Sequence, residues 1–235
     1  MSDDAWEKIY ESRRQINRYP YGELVSVFFN SLKYLKDPLV PSETNVLEVG
    51  CGAGNNLWFL AENGFITFGL DGSASAVEIA KETLEARGFV GDVHHGFFDS
   101  LPFSENSMDV VIDRESLYCG TCDQIASYLS EVRRVLKPGG VFISFRFSDK
   151  NLILAMLRSG SIKGCQLDQY TWTDLDSSGF KDTGVVNFLR LEDVESQYWF
   201  LDIKTVNENS NHQIIGDNSL SENDYSEYII VGVNR

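Results

Sequence analysis

The sequence predicts an α/β protein built on a doubly wound, mostly parallel sheet. Three observations carry that expectation. Apolar runs at 46–49, 65–70, 108–112 and 141–145 alternate with stretches of helical periodicity, the pattern of strands covered on both faces by crossover helices. A glycine-rich turn, Gly50-Cys51-Gly52-Ala53-Gly54, joins the first run to an apolar helical stretch at 57–61. An acid, Asp71, closes the second run, near the roughly 20-residue distance from the first glycine at which a carboxylate meets ribose hydroxyls in a nucleotide-binding βαβ unit.

Composition sets the limits. With 235 residues, 43% of them hydrophobic and 23% charged, the chain is long enough for one α/β domain with a full core. The formal net charge of −15 argues against nucleic acid or an anionic membrane as the main partner, because both are held by clustered Lys and Arg. No apolar stretch reaches the roughly 18 residues of a membrane-spanning helix, and the acidic start MSDDAWEK is unlike a signal peptide, so a cytoplasmic location is expected. Cys51, Cys119, Cys122 and Cys165 do not make a disulfide framework in a domain of this size. The C-x-x-C spacing of Cys119 and Cys122 lacks a second ligand pair, so no metal is expected.

Residues 1–40 read as a helical cap segment and 41–235 as a single domain. Trp6, Tyr10 and Arg13 share a helix face, Pro20 interrupts, and Leu24, Val25, Phe28 and Leu32 populate a second helix. Gly64 stops the helix after the glycine turn. Ser75 and Glu78 have capping-box spacing ahead of a helix carrying Val77, Ile79, Ala80 and Leu84. A weak third strand lies at 90–95. The fourth, at 108–112, delivers Asp113, Arg114 and Glu115 to the carboxyl edge, where open parallel sheets bind ligands. Ile125, Tyr128, Leu129, Val132 and Val135 form one stripe behind Asp123, an expected N-cap, and Lys137-Pro138-Gly139-Gly140 turns the chain into a fifth strand. Beyond Arg146 the pattern predicts a short helix at 152–157, an irregular insertion at 160–179 and a last helix at 191–198. Closing strands at 201–206 and 225–233 flank a polar loop that contains His212.

Four segments resemble one family. Glu48-Val49-Gly50-Cys51-Gly52-Ala53-Gly54 is similar to the E/D-x-G-x-G-x-G signature of class I S-adenosylmethionine-dependent methyltransferases, and does not match the G-x-G-x-x-G of nicotinamide enzymes. Asp71, Ser73, Ala76 and Ala80 resemble the family's next segment, and Arg134-Val-Leu-Lys-Pro-Gly-Gly140 resembles its R-x-L-K-P-G-G. The stretch 96–103 resembles G-D-x-x-x-L-P-F, with Phe97 where the family's acid stands.

The resemblance implies a Rossmann-like, seven-stranded, mostly parallel sheet with an antiparallel last strand, flanked by helices. It implies S-adenosyl-L-methionine as cofactor, held by Glu48, Gly50, Cys51, Gly52, Gly54, Asn55, Asn56, Asp71, Gly72, Phe98, Asp99, Ser100, Asp113 and Arg114. Glu115 is the candidate catalytic base, and Tyr10, Arg18, Tyr19 and Arg146 are candidate substrate contacts. The expected acceptor is an O, N or S atom of a small molecule. A non-catalytic cofactor-binding protein on the same fold is the main alternative, with an NAD(P)-dependent oxidoreductase behind it.

Overall fold

The structure is a computed structural model that describes residues 4–14, 16–177, 180–211 and 225–235. Helices α1 (Asp4–Glu11) and α2 (Gly22–Ser31) lead into β1 (Asn45–Val49), α3 (Asn55–Glu62), β2 (Ile66–Asp71), α4 (Ala74–Glu85) and β3 (Asp92–His95). There follow β4 (Met108–Arg114), α5 (Cys122–Val135), β5 (Leu136–Phe147) and α6 (Leu152–Ser159). Short strands β6 (Cys165–Asp168), β7 (Thr171–Thr173) and β8 (Val186–Asn187), the single turn α7 (Val194–Gln197), and the long strands β9 (Leu201–Asn211) and β10 (Tyr225–Asn234) complete the chain.

The main sheet has seven strands in the order β3-β2-β1-β4-β5-β10-β9. Strands β1 to β5 are parallel, and β10 runs antiparallel to both of its neighbours. The chain moves outward from β1 to β3 and then returns to β4, so the strand order reverses between β1 and β4. The loops that leave those two strands diverge there and open a crevice at the carboxyl edge.

Side chains alternate across the pleat, so each inner strand feeds two cores. Val46, Val110, Ile112, Val141, Ile143 and Phe145 pack on the side of α2, against Leu24 and Phe28. Leu47, Val49, Val111 and Phe142 pack on the side of α5, against Ile125, Leu129 and Val132. Arg134 of α5 donates to the carbonyls of Leu101 (2.8 Å) and Phe103 (2.7 Å), while Glu131 accepts from Leu101 N at 2.8 Å. The helix thereby pins the loop after β3 beside the crevice.

Several local expectations are corrected. The N-cap of α5 is Thr121, whose Oγ1 accepts from Gln124 N at 3.4 Å while Gln124 Oε1 accepts from Thr121 N at 2.9 Å; Asp123 lies two residues past the cap, within the first turn. The N-cap of α4 is Ser73, and the Ser75 hydroxyl instead donates to Glu7 Oε1 at 2.6 Å. Helix α1 stops at Glu11, with Arg13 in a left-handed conformation. The pairing of β5 starts at Leu136, so the Lys-Pro-Gly-Gly segment lies within the strand and shifts its register against β4 between Met108 and Val110. The stretch 160–179 is not irregular throughout: β7 pairs with β6 on one side and β8 on the other in a three-stranded antiparallel sheet. Only one short 3-10 turn (Leu191–Asp193) and α7 occupy 191–197. Strand β9 continues to Asn211, and His212 lies outside the described residues. Among the described residues no helix is long and apolar enough to cross a membrane.

The observed cap separates two neighbouring residues. Thr121→Ala is expected to destabilise the protein by about 1 kcal/mol, and Asp123→Ala by less than about 0.5 kcal/mol, in urea titrations. The reverse ranking would contradict the capping box.

Candidate active site

The crevice is shaped first by backbone. Gly50 has φ +71°, and a Cβ there would stand 2.2 Å from Ser116 Cβ, so the turns after β1 and β4 are in contact. Gly54 has φ +75°, and a Cβ would meet Ala80 Cβ at 3.0 Å; this glycine lets α3 and α4 pack closely and does not line the cavity. Leu70 O accepts from Gly50 N at 2.7 Å and from Cys51 N at 3.0 Å. Asp71 completes the turn: Oδ2 accepts from Gly52 N at 2.8 Å and Oδ1 from Ser73 N at 2.9 Å. Burial pushes the Asp71 carboxyl above its ordinary value, against the pull of these two donors.

A cavity of about 280 Å³ lies over this turn. Strand β1 and its turn contribute Glu48, Gly50, Cys51 and Gly52, with Asn55 and Asn56 from the first turn of α3. Asp71 and Gly72 follow β2, Phe97 and Phe98 follow β3, and Arg114, Glu115, Ser116, Tyr118 and Cys119 follow β4. Trp6, Tyr10, Asn17 and Tyr21 come from the N-terminal segment, and residues 183–185 from the stretch before β8.

The N-terminal segment is tied down on both sides of the cavity. Glu7 accepts from Ser73 Oγ (2.7 Å) and Ser75 Oγ (2.6 Å), which hold its carboxyl below the usual range and join α1 to α4. Farther along, Asn55 Nδ2 donates to Tyr19 O (3.0 Å), Trp58 Nε1 to Arg18 O (3.3 Å), and Tyr21 N to Asn56 Oδ1 (3.0 Å).

The cavity is lined by more acids than bases. Glu48 is 1% exposed; Oε1 accepts from Asn56 Nδ2 at 2.6 Å, while Oε2 is buried without a donor. Burial pushes the Glu48 carboxyl up to about 8, with the Asn56 amide and Arg114 opposing. Arg114 forms an ion pair with Glu115 and lies 3.7 Å over the Tyr21 ring. Glu115 has φ +48°, a left-handed conformation that a non-glycine residue adopts only when its surroundings enforce it.

Of the residues singled out from sequence, Tyr10, Glu48, Gly50, Cys51, Gly52, Asn55, Asn56, Asp71, Gly72, Phe98, Arg114 and Glu115 come together around this cavity. The others do not. Arg18 and Tyr19 contribute only backbone carbonyls, with Tyr19 77% exposed. Asp99 and Ser100 turn to the surface just past Phe98. Asp113 is sealed beneath the site, accepting from Ser116 N (2.9 Å), Leu117 N (3.0 Å) and Ser144 Oγ (2.7 Å), and so shapes the turn after β4. Arg146 is buried against the small sheet, donating to Asn187 Oδ1 at 2.7 Å, and does not reach the cavity. Trp6, Asn17, Tyr21, Ser116, Tyr118 and Cys119 line the cavity without having been singled out as site residues, as do residues 183–185. Trp6 shares a helix face with Tyr10 and was legible on that ground; 183–185 carry no local signal. Phe97, the departure from the family pattern, also lines the wall. His95 Nε2 lies 3.1 Å from Gly72 O, and His94 pairs with Asp92.

The buried Glu48 carboxyl makes stability depend on pH. Its folded value is raised, so its contribution is fully present below the ordinary value of 4.5 and is lost as pH rises through about 8. Glu48→Gln keeps an acceptor for Asn56 and removes that loss. It is expected to stabilise the unliganded protein at about pH 8 by on the order of 1–3 kcal/mol, and much less at about pH 5, in urea titrations. Equal effects at both pH values would contradict a buried proton.

Comparison with known proteins agrees with the geometry. Residues 46–140 match the family model described as a methyltransferase domain. An uncharacterized methyltransferase of Synechocystis sp. is 38% identical over 97 residues, which is 41% of this chain and 44% of that protein. The chain thus spans less than half the length of the curated relatives it matches. Among solved structures, a SAM-dependent methyltransferase from Methanosarcina mazei has a TM-score of 0.68 at 14% identity, covering 92% of this chain and 98% of that one. The 1,6-didemethyltoxoflavin-N1-methyltransferase of Burkholderia thailandensis, solved with 1,6-didemethyltoxoflavin and S-adenosylhomocysteine bound, has a TM-score of 0.67 at 11% identity over 99% of this chain and 86% of that one. At such identities the solved structures speak for the fold, and the matched stretch, residues 46–140, is similar to a methyltransferase domain.

Proposed function

We propose that this chain transfers a methyl group from S-adenosylmethionine to a nitrogen, oxygen or sulfur atom of a small molecule. The observation that carries this reading is the cavity at the β1/β4 switch point, where a side-chain-free turn lies beside buried carboxylates with acceptor capacity to spare. A Cβ at Gly50 or Gly52 would collide with Ser116 or Tyr10, and Glu48, whose Oε2 is buried without a partner, lines the same space. Such a site suits a ligand with a cationic amino-acid end and a ribose.

In this reading Glu48, Gly50 and Gly52 hold the methionine part, Asp71 and Gly72 take the ribose, and Phe97 and Phe98 flank the adenine. When bound, the cofactor supplies a methyl group on a positively charged sulfur, which needs alignment more than activation. The chain's own residues therefore orient and enclose. Residues 1–40 act as a cap: Tyr10 and Trp6 cover the cavity from α1, and Tyr21 closes it beside Arg114. Enclosure excludes water, which would otherwise separate the reacting atoms. Glu115, at the end of β4, is placed to hold a proton from the acceptor. The capped cavity of about 280 Å³ and the net charge of −15 support a small acceptor over nucleic acid. The toxoflavin-precursor enzyme among the structural neighbours is an instance of that class on this fold.

Calorimetric titration with S-adenosylmethionine tests the reading. Micromolar binding is expected, weakened at least about tenfold in Asp71→Asn, which replaces one ribose-accepting oxygen by a donor. NADH is expected not to bind. A well-folded protein that ignores the sulfonium, or that prefers NADH, would overturn the assignment.

A further inference from the structure

The proposed reaction leaves one buried carboxyl unexplained. Strand β10 enters the sheet antiparallel beside β5 and so brings its first turns to the same edge as the end of β4. Glu227 pairs in register with Phe147, and Glu115 N donates to Phe145 O at 3.2 Å, which puts the two glutamates on neighbouring ground. Glu227 has no exposed surface. Its Oε1 accepts from Asn209 Nδ2 at 2.9 Å and from the Tyr21 hydroxyl at 3.5 Å, while Oε2 is buried without a donor. The Glu115 carboxylate is ion-paired to Arg114, whose guanidinium lies over the Tyr21 ring while the Tyr21 hydroxyl reaches Glu227, so the two carboxyls gather around the same side chains.

We propose that Glu115 and Glu227 share one proton, and that this pair is the base that receives the proton of a hydroxyl or ring N–H acceptor. Two carboxylates in contact inside a protein cannot both ionise at low cost; a proton between them turns a repulsion into a hydrogen bond and satisfies the orphaned oxygen. Charge agrees. Arg114, ion-paired to Glu115 and stacked on Tyr21, balances one negative charge, the net charge of a pair that holds one proton. Among the described residues, the other groups facing Glu227 are the Tyr21 hydroxyl, 3.0 Å from the Tyr225 hydroxyl, and the Asn209 amide, neither of them a cation. Burial and the neighbouring Glu115 both push the Glu227 carboxyl upward, so Glu227 is the partner that keeps the proton.

The division of labour follows from position. Glu115, Arg114 and Tyr21 line the cavity and Glu227 does not, so Glu115 is the catalytic residue and Glu227 a positioning residue that acts through it. The unpartnered Glu48 Oε2 points to a ligand in the same cavity. As the acceptor heteroatom gains its methyl carbon, its proton passes to Glu115. The sulfur keeps the electron pair of the broken bond and loses its positive charge, so charge balances. The pair, now holding two protons, returns one to water when product leaves. A thioether or tertiary amine acceptor, with no proton to give, does not need such a device.

The inference rests on the methyltransferase reading for its role, but its first test does not need an acceptor. Carbon-13 spectra of protein labelled at the glutamate carboxyls are recorded across pH for the wild type, Glu115→Gln, Glu227→Gln and Glu48→Gln. One high-titrating resonance is expected to vanish in Glu227→Gln, to survive in Glu48→Gln, and to fall by at least about one pH unit in Glu115→Gln. A Glu227 signal in the ordinary carboxylate range, or one indifferent to Glu115→Gln, would overturn the shared proton. Should Glu227→Gln fail to fold, the Glu115→Gln comparison still decides, since Glu115 sits at the cavity wall. Calorimetry with S-adenosylmethionine on the same samples separates the two readings. Binding retained within about threefold in Glu227→Gln supports a role toward the acceptor. A shared proton in a protein that does not bind the sulfonium would sink the methyltransferase reading and, with it, the pair's role as base.

Discussion

The hydrogen bonds of the Asp71 carboxylate hold the site together. One oxygen takes the N–H of Gly52 and the other that of Ser73, so a single side chain at the end of β2 locks the turn after β1 and the start of α4. The turn can be locked there only because Gly50 and Gly52 adopt positive φ and leave no side chain in the way. From that junction follow the close packing of α3 on α4 and the contact between the β1 and β4 turns. The floor of the cavity depends on both.

Long-range pieces complete what the junction begins. Glu7 reaches from α1 to Ser73 and Ser75 at the head of α4, so the N-terminal helix is registered on the element that Asp71 positions. Asn55 and Asn56, expected to meet the cofactor, line the cavity but also carry the segment that crosses it. Beneath the opposite wall, Asp113 is consumed by Ser116, Leu117 and Ser144 and leaves its neighbours Arg114 and Glu115 to face inward. The result is an acid-rich chamber with Arg114 as the guanidinium among its lining residues.

How much was legible in advance depended on how local the physics is. The inner strands of the main sheet, β1, β2, β4, β5 and β10, announce themselves as apolar runs, because a strand covered on both faces has to be apolar along its length; the edge strands β3 and β9 carry a weaker pattern. The caps were harder. Asp123 and Ser75 were plausible by residue type, but Thr121 and Ser73 hold the caps because a cap is decided by where the preceding loop lets the first N–H groups point. The three short strands between α6 and α7 have too little pattern to be seen, and they exist by pairing with one another.

The sequence by itself determined the parallel sheet, the glycine turn with its downstream carboxylate, and the resemblance to a methyltransferase domain, since these rest on periodicity and on residues close along the chain. The tertiary structure alone decided which side chains share the cavity. It hid Asp113 and Arg146, exposed Asp99 and Tyr19, and drew in Trp6, Tyr21, Tyr118 and residues 183–185. It also set Glu227 against Glu115, residues separated by more than a hundred positions. Their contact depends on β10 being inserted antiparallel beside β5, a pairing between distant segments that no local pattern encodes.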